Sequence, residues 1–150
     1  MIIAICHNIR SAYNIGSIIR TAECAGIDKI YLTGYSPAPE LEKVKKISLG
    51  AEKSAKWEYS KNISKILDDL KKRGFFIISM ETLSKAEPLD KFDFKKKNIA
   101  LIFGNEKRGL SHNILKRSDA IVKIPMFGKK ESLNVSVAFG IACYFAVLKK

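Results

Sequence analysis

Cysteine is scarce in this 150-residue sequence: Cys6, Cys24 and Cys143 lie far apart and are odd in number. They supply neither a disulfide framework nor a C-x-x-C metal pair, which predicts a reducing, cytoplasmic setting and no metal centre. Long apolar runs are missing too. The longest, residues 137–148, falls short of the roughly 20 residues a membrane-spanning helix needs. The opening MIIAICHNIR has no basic leader and reads as a first strand, so no membrane partner is expected. Internal repeats, low-complexity tracts and linkers are absent, and the length suits one domain over residues 1–150. Acidic residues are few: 15 Asp plus Glu stand against 27 Lys plus Arg, for a net charge of +12. That excess favours a polyanionic partner through phosphate neutralisation and counterion release, although a merely solubilising lysine surface gives the same composition.

What is present is enough for a folded core. Hydrophobic residues make up 47% and charged residues 28%, which excludes disorder. Strand-like and helix-like segments alternate. Residues 2–6, 29–33, 75–80, 99–103 and 120–124 read as strands. Residues 14–25, 40–47, 60–73, 111–117 and 132–148 read as helices, with Gly26 and Gly74 as stops. Residues 49–59 fit either type, and residues 81–97 are polar, charged and irregular. Strand followed by helix, repeated, predicts an α/β fold with a mostly parallel sheet flanked by helices.

In open parallel sheets, ligands bind beyond the carboxyl ends of the strands. Three polar loops hold such positions: RSAYNIGSIIR, FGNEKRGLS and PMFGKKESLNVS. The second has the glycine spacing of a phosphate-cradling loop, but Leu110 stands where that loop needs lysine, and Glu106 would repel phosphate. The dinucleotide fingerprint G-x-G-x-x-G is absent as well. Glycines Gly104 and Gly109 therefore fit either a close approach to a small ligand or an ordinary turn. In the first loop Asn14 and Arg20 are six residues apart, which turns Arg20 about 120° around a helix from Asn14, within reach of a curling stem. Arginine presents a planar fork of donors matched to phosphate, or simply snorkels at a surface. Ser132 and Asn134 stand at the start of the last helix, where capping is the plainer role. In that helix Ala138, Ala142 and Ala146 recur every four residues, a small-residue row for packing on the sheet or on a partner subunit.

Together the loops say more than each does alone. NIGSIIR, FGNEKRGLS and IPMFGKKESLNVSVA, in that order, resemble the SpoU, or TrmH-like, branch of the SPOUT RNA methyltransferases. TAECAGIDKIYLTG and SLGAEKSAKWEY look like that branch too, so the resemblance spans essentially the whole chain. It implies methyl transfer from S-adenosylmethionine to a ribose 2′-hydroxyl in tRNA or rRNA. It also implies a C-terminal deep trefoil knot, which general topology disfavours, and a homodimer in which the terminal helix takes part.

The resemblance implies residue roles as well. Arg20, Asn14, Glu106, Ser132 and Asn134 match the catalytic positions. Met80, Gly104, Asn105, Gly109, Ile124, Met126, Ser132 and Leu133 would contact the cofactor. Arg10, Arg20, Lys107, Arg108, Lys129 and Lys130 are the candidate RNA-binding cations. A ribose hydroxyl must lose a proton as it attacks, and a sulfonium leaves readily, so positioning matters and no metal is needed. Arginine is a poor base, which suits Arg20 to gripping an RNA phosphate or stabilising a developing alkoxide. His7 beside Cys6 makes no dyad, because neighbours on a strand face opposite ways. His112 reads as an exposed helix residue, and Trp57 with Tyr59 as either core or an RNA-stacking pair. The sequence opens at the first strand of this domain and ends two lysines past the last helix, which predicts RNA held by the domain itself, its dimer partner or another protein. Two competing readings remain: a non-catalytic RNA-binding or assembly module, and an α/β enzyme with a nucleotide cofactor.

Overall fold

The apolar run IIAIC near the N-terminus has no polar alternation, and a strand of that kind must be covered on both faces. The computed structural model, which describes residues 1–96 and 98–150, shows how. Strands β1 (Ile2–His7), β2 (Lys29–Thr33), β3 (Trp57–Ser60), β4 (Phe76–Met80), β5 (Glu87–Pro88), β6 (Ile99–Phe103) and β7 (Ala120–Lys123) make one sheet in the order β3-β2-β1-β6-β4-β7-β5. All pairings between these strands are parallel. Helices α1 (Ala12–Cys24), α2 (Glu42–Ser48), α3 (Ala51–Ser54), α4 (Ile63–Lys72), α5 (His112–Arg117) and α6 (Val135–Lys149) complete the chain.

Successive side chains of β1 divide between two cores, as the period of two requires. Ile2, Ala4 and Cys6 pack with Ile15, Ile18 and Ile19 of α1 and with Phe139 and Ala142 of α6. Ile3 and Ile5 pack with Ile66, Leu67 and Leu70 of α4 and with Ile114 of α5. The sheet is thus the middle of three layers. Cys6 and Cys143 are buried in the first core, where burial pushes both thiols up, and all three cysteines are free.

Sheet order departs from sequence order at its centre. After β3 the chain crosses the sheet to lay down β4, and β6 later occupies the place between β1 and β4. Ile99 pairs with Ile2 on one side and with Phe76 on the other. This late insertion brings the carboxyl ends of β6, β4 and β7 side by side.

Several local expectations need correction. The last helix begins at Val135, not at residue 132. Asn134 caps it, its Oδ1 accepting from the Ser136 amide at 2.8 Å, and Ser132 lies in the loop before it. The first helix begins earlier than residue 14, because Ser11 Oγ accepts from the Asn14 amide and caps it. Residues 49–59 resolve into α3 and β3, with Trp57 half-buried and its Nε1 donating to the Glu52 carbonyl at 3.1 Å. The irregular stretch 81–97, of which Lys97 lies outside the described residues, carries β5 and an aromatic anchor. Phe94 is fully buried, edge-on to Phe92 at 4.9 Å and near Phe145 of α6. Of the two packings open to the alanine row, Ala142 and Ala146 take the internal one and are fully buried in the chain's own core. The exposed apolar side of α6 is formed by Val137, Ile141, Tyr144 and Leu148.

Glycine is required where α1 meets α2. A Cβ on Gly16 would lie 2.6 Å from Ile47 Cβ and 2.9 Å from the Val44 carbonyl oxygen, so a larger residue would force the helices apart.

Candidate active site

The β6–α5 loop is organised by one buried side chain. Asn105 Oδ1 accepts from the amides of Lys107 and Arg108 at 3.0 and 2.9 Å, closing a tight turn. Its Nδ2 donates to the Asn8 carbonyl and to Tyr35 Oη, which moors the loop to the ends of β1 and β2. Asn8 has φ 56° and is itself braced. Its Oδ1 accepts from the Tyr35 amide, and its Nδ2 donates to His7 Nε2. That leaves Nδ1 of His7 as the protonated nitrogen, donating to Thr33 Oγ1 at 2.9 Å. Partial burial lowers the His7 pKa, which favours this neutral form.

Glu81, directly after β4, holds the far end of the same loop. Its Oε2 accepts from the Leu110 amide at 2.8 Å and its Oε1 from the Thr82 amide. Gly109 passes so close that a Cβ there would run into this carboxylate, and its φ of +63° is a left-handed conformation that favours glycine.

Glu106, at the loop's crest, joins distant parts of the chain. Its carboxylate accepts from the Arg10 and Ser11 amides at the start of α1 and, at 2.9 Å, from Asn14 Nδ2. Asn14 Oδ1 in turn accepts from Asn134 Nδ2 at 3.2 Å. The three polar loops are therefore linked side chain to side chain through Glu106, Asn14 and Asn134. Partial burial pushes the Glu106 carboxyl up, but the backbone and amide donors outweigh it and hold its pKa below the ordinary carboxylate value.

Between these loops lies an open cleft. Met80, Glu81 and Thr82 line it from the end of β4, and Phe103, Gly104, Asn105, Glu106 and Gly109 from the end of β6. Val122, Ile124 and Met126 line it after β7, and Ser132, Leu133, Val135 and Ala138 close it. All eight positions expected to contact a cofactor thus share one cavity. Asn105 is among them, although its side chain is already spent on the loop. Glu106 and Ser132 face this cleft, and Asn14 and Asn134 are tied to it through Glu106. Lys107, Lys129 and Lys130 line a wider basin at its mouth, whereas Arg10 and Arg108 are exposed nearby on the loops.

Arg20 is the exception. It lies in a separate depression with Tyr13, Ser17, Thr21, Lys46, Ile47 and Leu49, and shares no wall of the cleft. On α1, Asn14 is buried and Arg20 is exposed. His112 is exposed on α5. Sequence reasoning passed over Glu81, although its place immediately after an apolar strand was a usable signal.

Apolar walls beside fixed carboxylates suit a ligand that is part planar and apolar, part cationic. The fold and this cleft define an α/β protein with a small-molecule site at the carboxyl ends of parallel strands. The particular family follows from likeness along the chain: a model of the SpoU rRNA Methylase family matches residues 1–144, and the chain belongs to that family. It is 37% identical over 136 residues to an uncharacterized tRNA/rRNA methyltransferase of Borreliella burgdorferi, a match covering 91% of this chain and 59% of the relative. The chain thus spans under three fifths of that curated relative's length. Among solved structures it is similar to the SpoU methyltransferase AviRb from Streptomyces viridochromogenes in complex with AdoMet, with a TM-score of 0.89, 26% identity, and coverage of 97% of this chain and 59% of that one. It is similar also to a protein solved for insight into the 2-OH methylation of C/U34 on tRNA, with a TM-score of 0.87, 28% identity, and coverage of 97% and 93%.

Proposed function

We propose that this chain transfers a methyl group from S-adenosylmethionine to a ribose 2′-hydroxyl of tRNA or rRNA. One observation carries the reading: the carboxyl ends of β6, β4 and β7 and the segment before α6 enclose a single cleft, and the Glu106–Asn14–Asn134 chain fixes its rim. The donor set suits this cofactor. Met80, Val122, Ile124, Leu133 and Ala138 offer an apolar slot for a purine, and the Glu81 carboxylate offers a counter-charge for a cation. When bound, S-adenosylmethionine supplies an activated methyl group on a sulfonium. Everything else falls to the protein. The backbone of the β6–α5 loop, held rigid by Asn105 and Glu81, positions the cofactor. Lys107, Lys129 and Lys130 attract the RNA backbone to the mouth of the cleft. Ser132 stands between the two, free to orient the ribose.

Glu106 has three donors on its carboxylate, so it works as a clasp and not as a proton acceptor. Arg20 is then the group that grips phosphate beside the reacting hydroxyl and stabilises its developing charge. Because Arg20 lies outside the cleft of its own chain, it serves the cleft of a second copy. The homodimer forms through the exposed side of α6, where Val137, Ile141, Tyr144 and Leu148 present apolar surface. In this reading the chain after β6 threads into a deep trefoil knot. The insertion of β6 between β1 and β4 and the return of α6 onto α1 and β6 support that path. The protein works in the cytoplasm, where its three free thiols stay reduced.

The test is Arg20→Ala. Label transfer to bulk RNA should fall at least about 100-fold, while calorimetric affinity for S-adenosylmethionine stays unchanged. Co-expression of Arg20→Ala with a cleft variant, Leu133→Arg, should restore transfer in mixed dimers. Full activity of Arg20→Ala refutes its role, and the absence of rescue refutes its supply in trans.

A further inference from the structure

The loop after β7 lines both the cleft and its basic mouth, and Phe127 belongs to it. Its side chain is 97% exposed, more than any other large apolar side chain among the described residues; Leu148 follows at 79%. Its neighbours face the site on both sides. Met126 lines the inner cleft, and Gly128, Lys129 and Lys130 line the outer basin, which Lys107 also faces from the β6–α5 loop.

Glu81 and Glu106 are engaged by backbone amides. Lys123 donates to the carbonyls of Leu83 and Ser84. Glu131 also faces the basin. Lys107, Lys129 and Lys130 form no ion pair among the described residues. Lysines without ion-pair partners, two of them two and three positions after a solvated aromatic ring, match a nucleotide whose phosphate and base face are both available. Base faces are hidden inside an A-form helix and free only in loops, bulges and single strands.

We infer that Phe127 is a stacking platform for an unpaired RNA base next to the target ribose. This rests on the reading of the chain as an RNA methyltransferase and adds a residue that recognises the RNA. The ring meets the base, and Lys129 and Lys130 meet the adjoining phosphates.

The probe is a short fluorescent single-stranded RNA of mixed sequence, compared by anisotropy with the same strand annealed to its complement. The wild-type chain should bind the single strand more tightly. Phe127→Ala should weaken single-strand binding by about five- to 100-fold and leave duplex binding nearly unchanged. Phe127→Trp should bind at least as well as wild type. Phe127→Leu, apolar but without a π face, should behave like Phe127→Ala. Equal binding by wild type and Phe127→Ala overturns the inference while leaving the methyltransferase reading intact; so does a shift of Phe127→Ala from dimer to monomer in sedimentation, which would assign the ring to a contact between copies. Failure of the wild-type chain to bind either RNA, with or without S-adenosylmethionine, would overturn both. Calorimetric binding of S-adenosylmethionine, checked for every variant, should be unaltered, since full exposure leaves the ring no part in the fold.

Discussion

At Glu106 the Arg10 and Ser11 amides and the Asn14 side chain converge on one carboxylate, and the Asn14 amide oxygen is held in turn by Asn134. Three of the five residues that a resemblance groups as catalytic, Glu106, Asn14 and Asn134, are hydrogen-bonded in one chain. The acid dependence follows. The folded carboxyl sits below its ordinary value of 4.5, so the folded state binds this proton more weakly than the unfolded chain does. The stabilisation is complete above pH 4.5 and is lost as pH falls through the folded value. Glu106→Gln should lose about 1–2 kcal/mol in urea unfolding at neutral pH, a figure kept low because the group is partly solvated. The gap between variant and wild type should narrow below pH 4.5. A gap that widens in acid would show that the carboxylate is strained rather than satisfied. The role of Glu106 was only half legible in the sequence. Its place in a loop after a strand was plain, but donors some 90 positions away are invisible until β6 lies against β1.

Among the elements, β1 and β6 were the easiest to read, because strands covered on both faces are continuous apolar runs. β5 was unreadable: two residues, Glu87 and Pro88, carry no periodicity, and the aromatics that anchor the stretch fit no repeat. The start of α6 was misplaced because Ser132 and Asn134 are both good caps, and only the Asn134–Ser136 bond decides between them. The motif glycine Gly16 proves to serve packing, since α2 touches α1 there. Gly16→Ala should therefore lower stability by about 1–2 kcal/mol despite alanine's better helix propensity, because two packed helices must separate. Thermal unfolding reads this directly, and a rise in Tm would contradict the contact. The shift should also disturb the Arg20 depression, whose floor includes Ile47.

At the scale of the whole molecule, one topological choice shapes the site. The late insertion of β6 between β1 and β4 places three carboxyl strand ends together and brings the loop after β7 over them. Sequence order carries no hint of it, since strand order within a parallel sheet leaves no local pattern. The net charge of +12 becomes meaningful only once Lys107, Lys129 and Lys130 are found around one opening. The proposed activity delivers the methyl group to the sugar and not to the base. Methylation of a 2′-oxygen removes the nucleophile that alkali uses to cut the neighbouring phosphodiester. RNA treated with this chain and methyl-labelled S-adenosylmethionine, then hydrolysed in alkali, should therefore carry its label in alkali-resistant dinucleotides. Label recovered in mononucleotides would contradict the account.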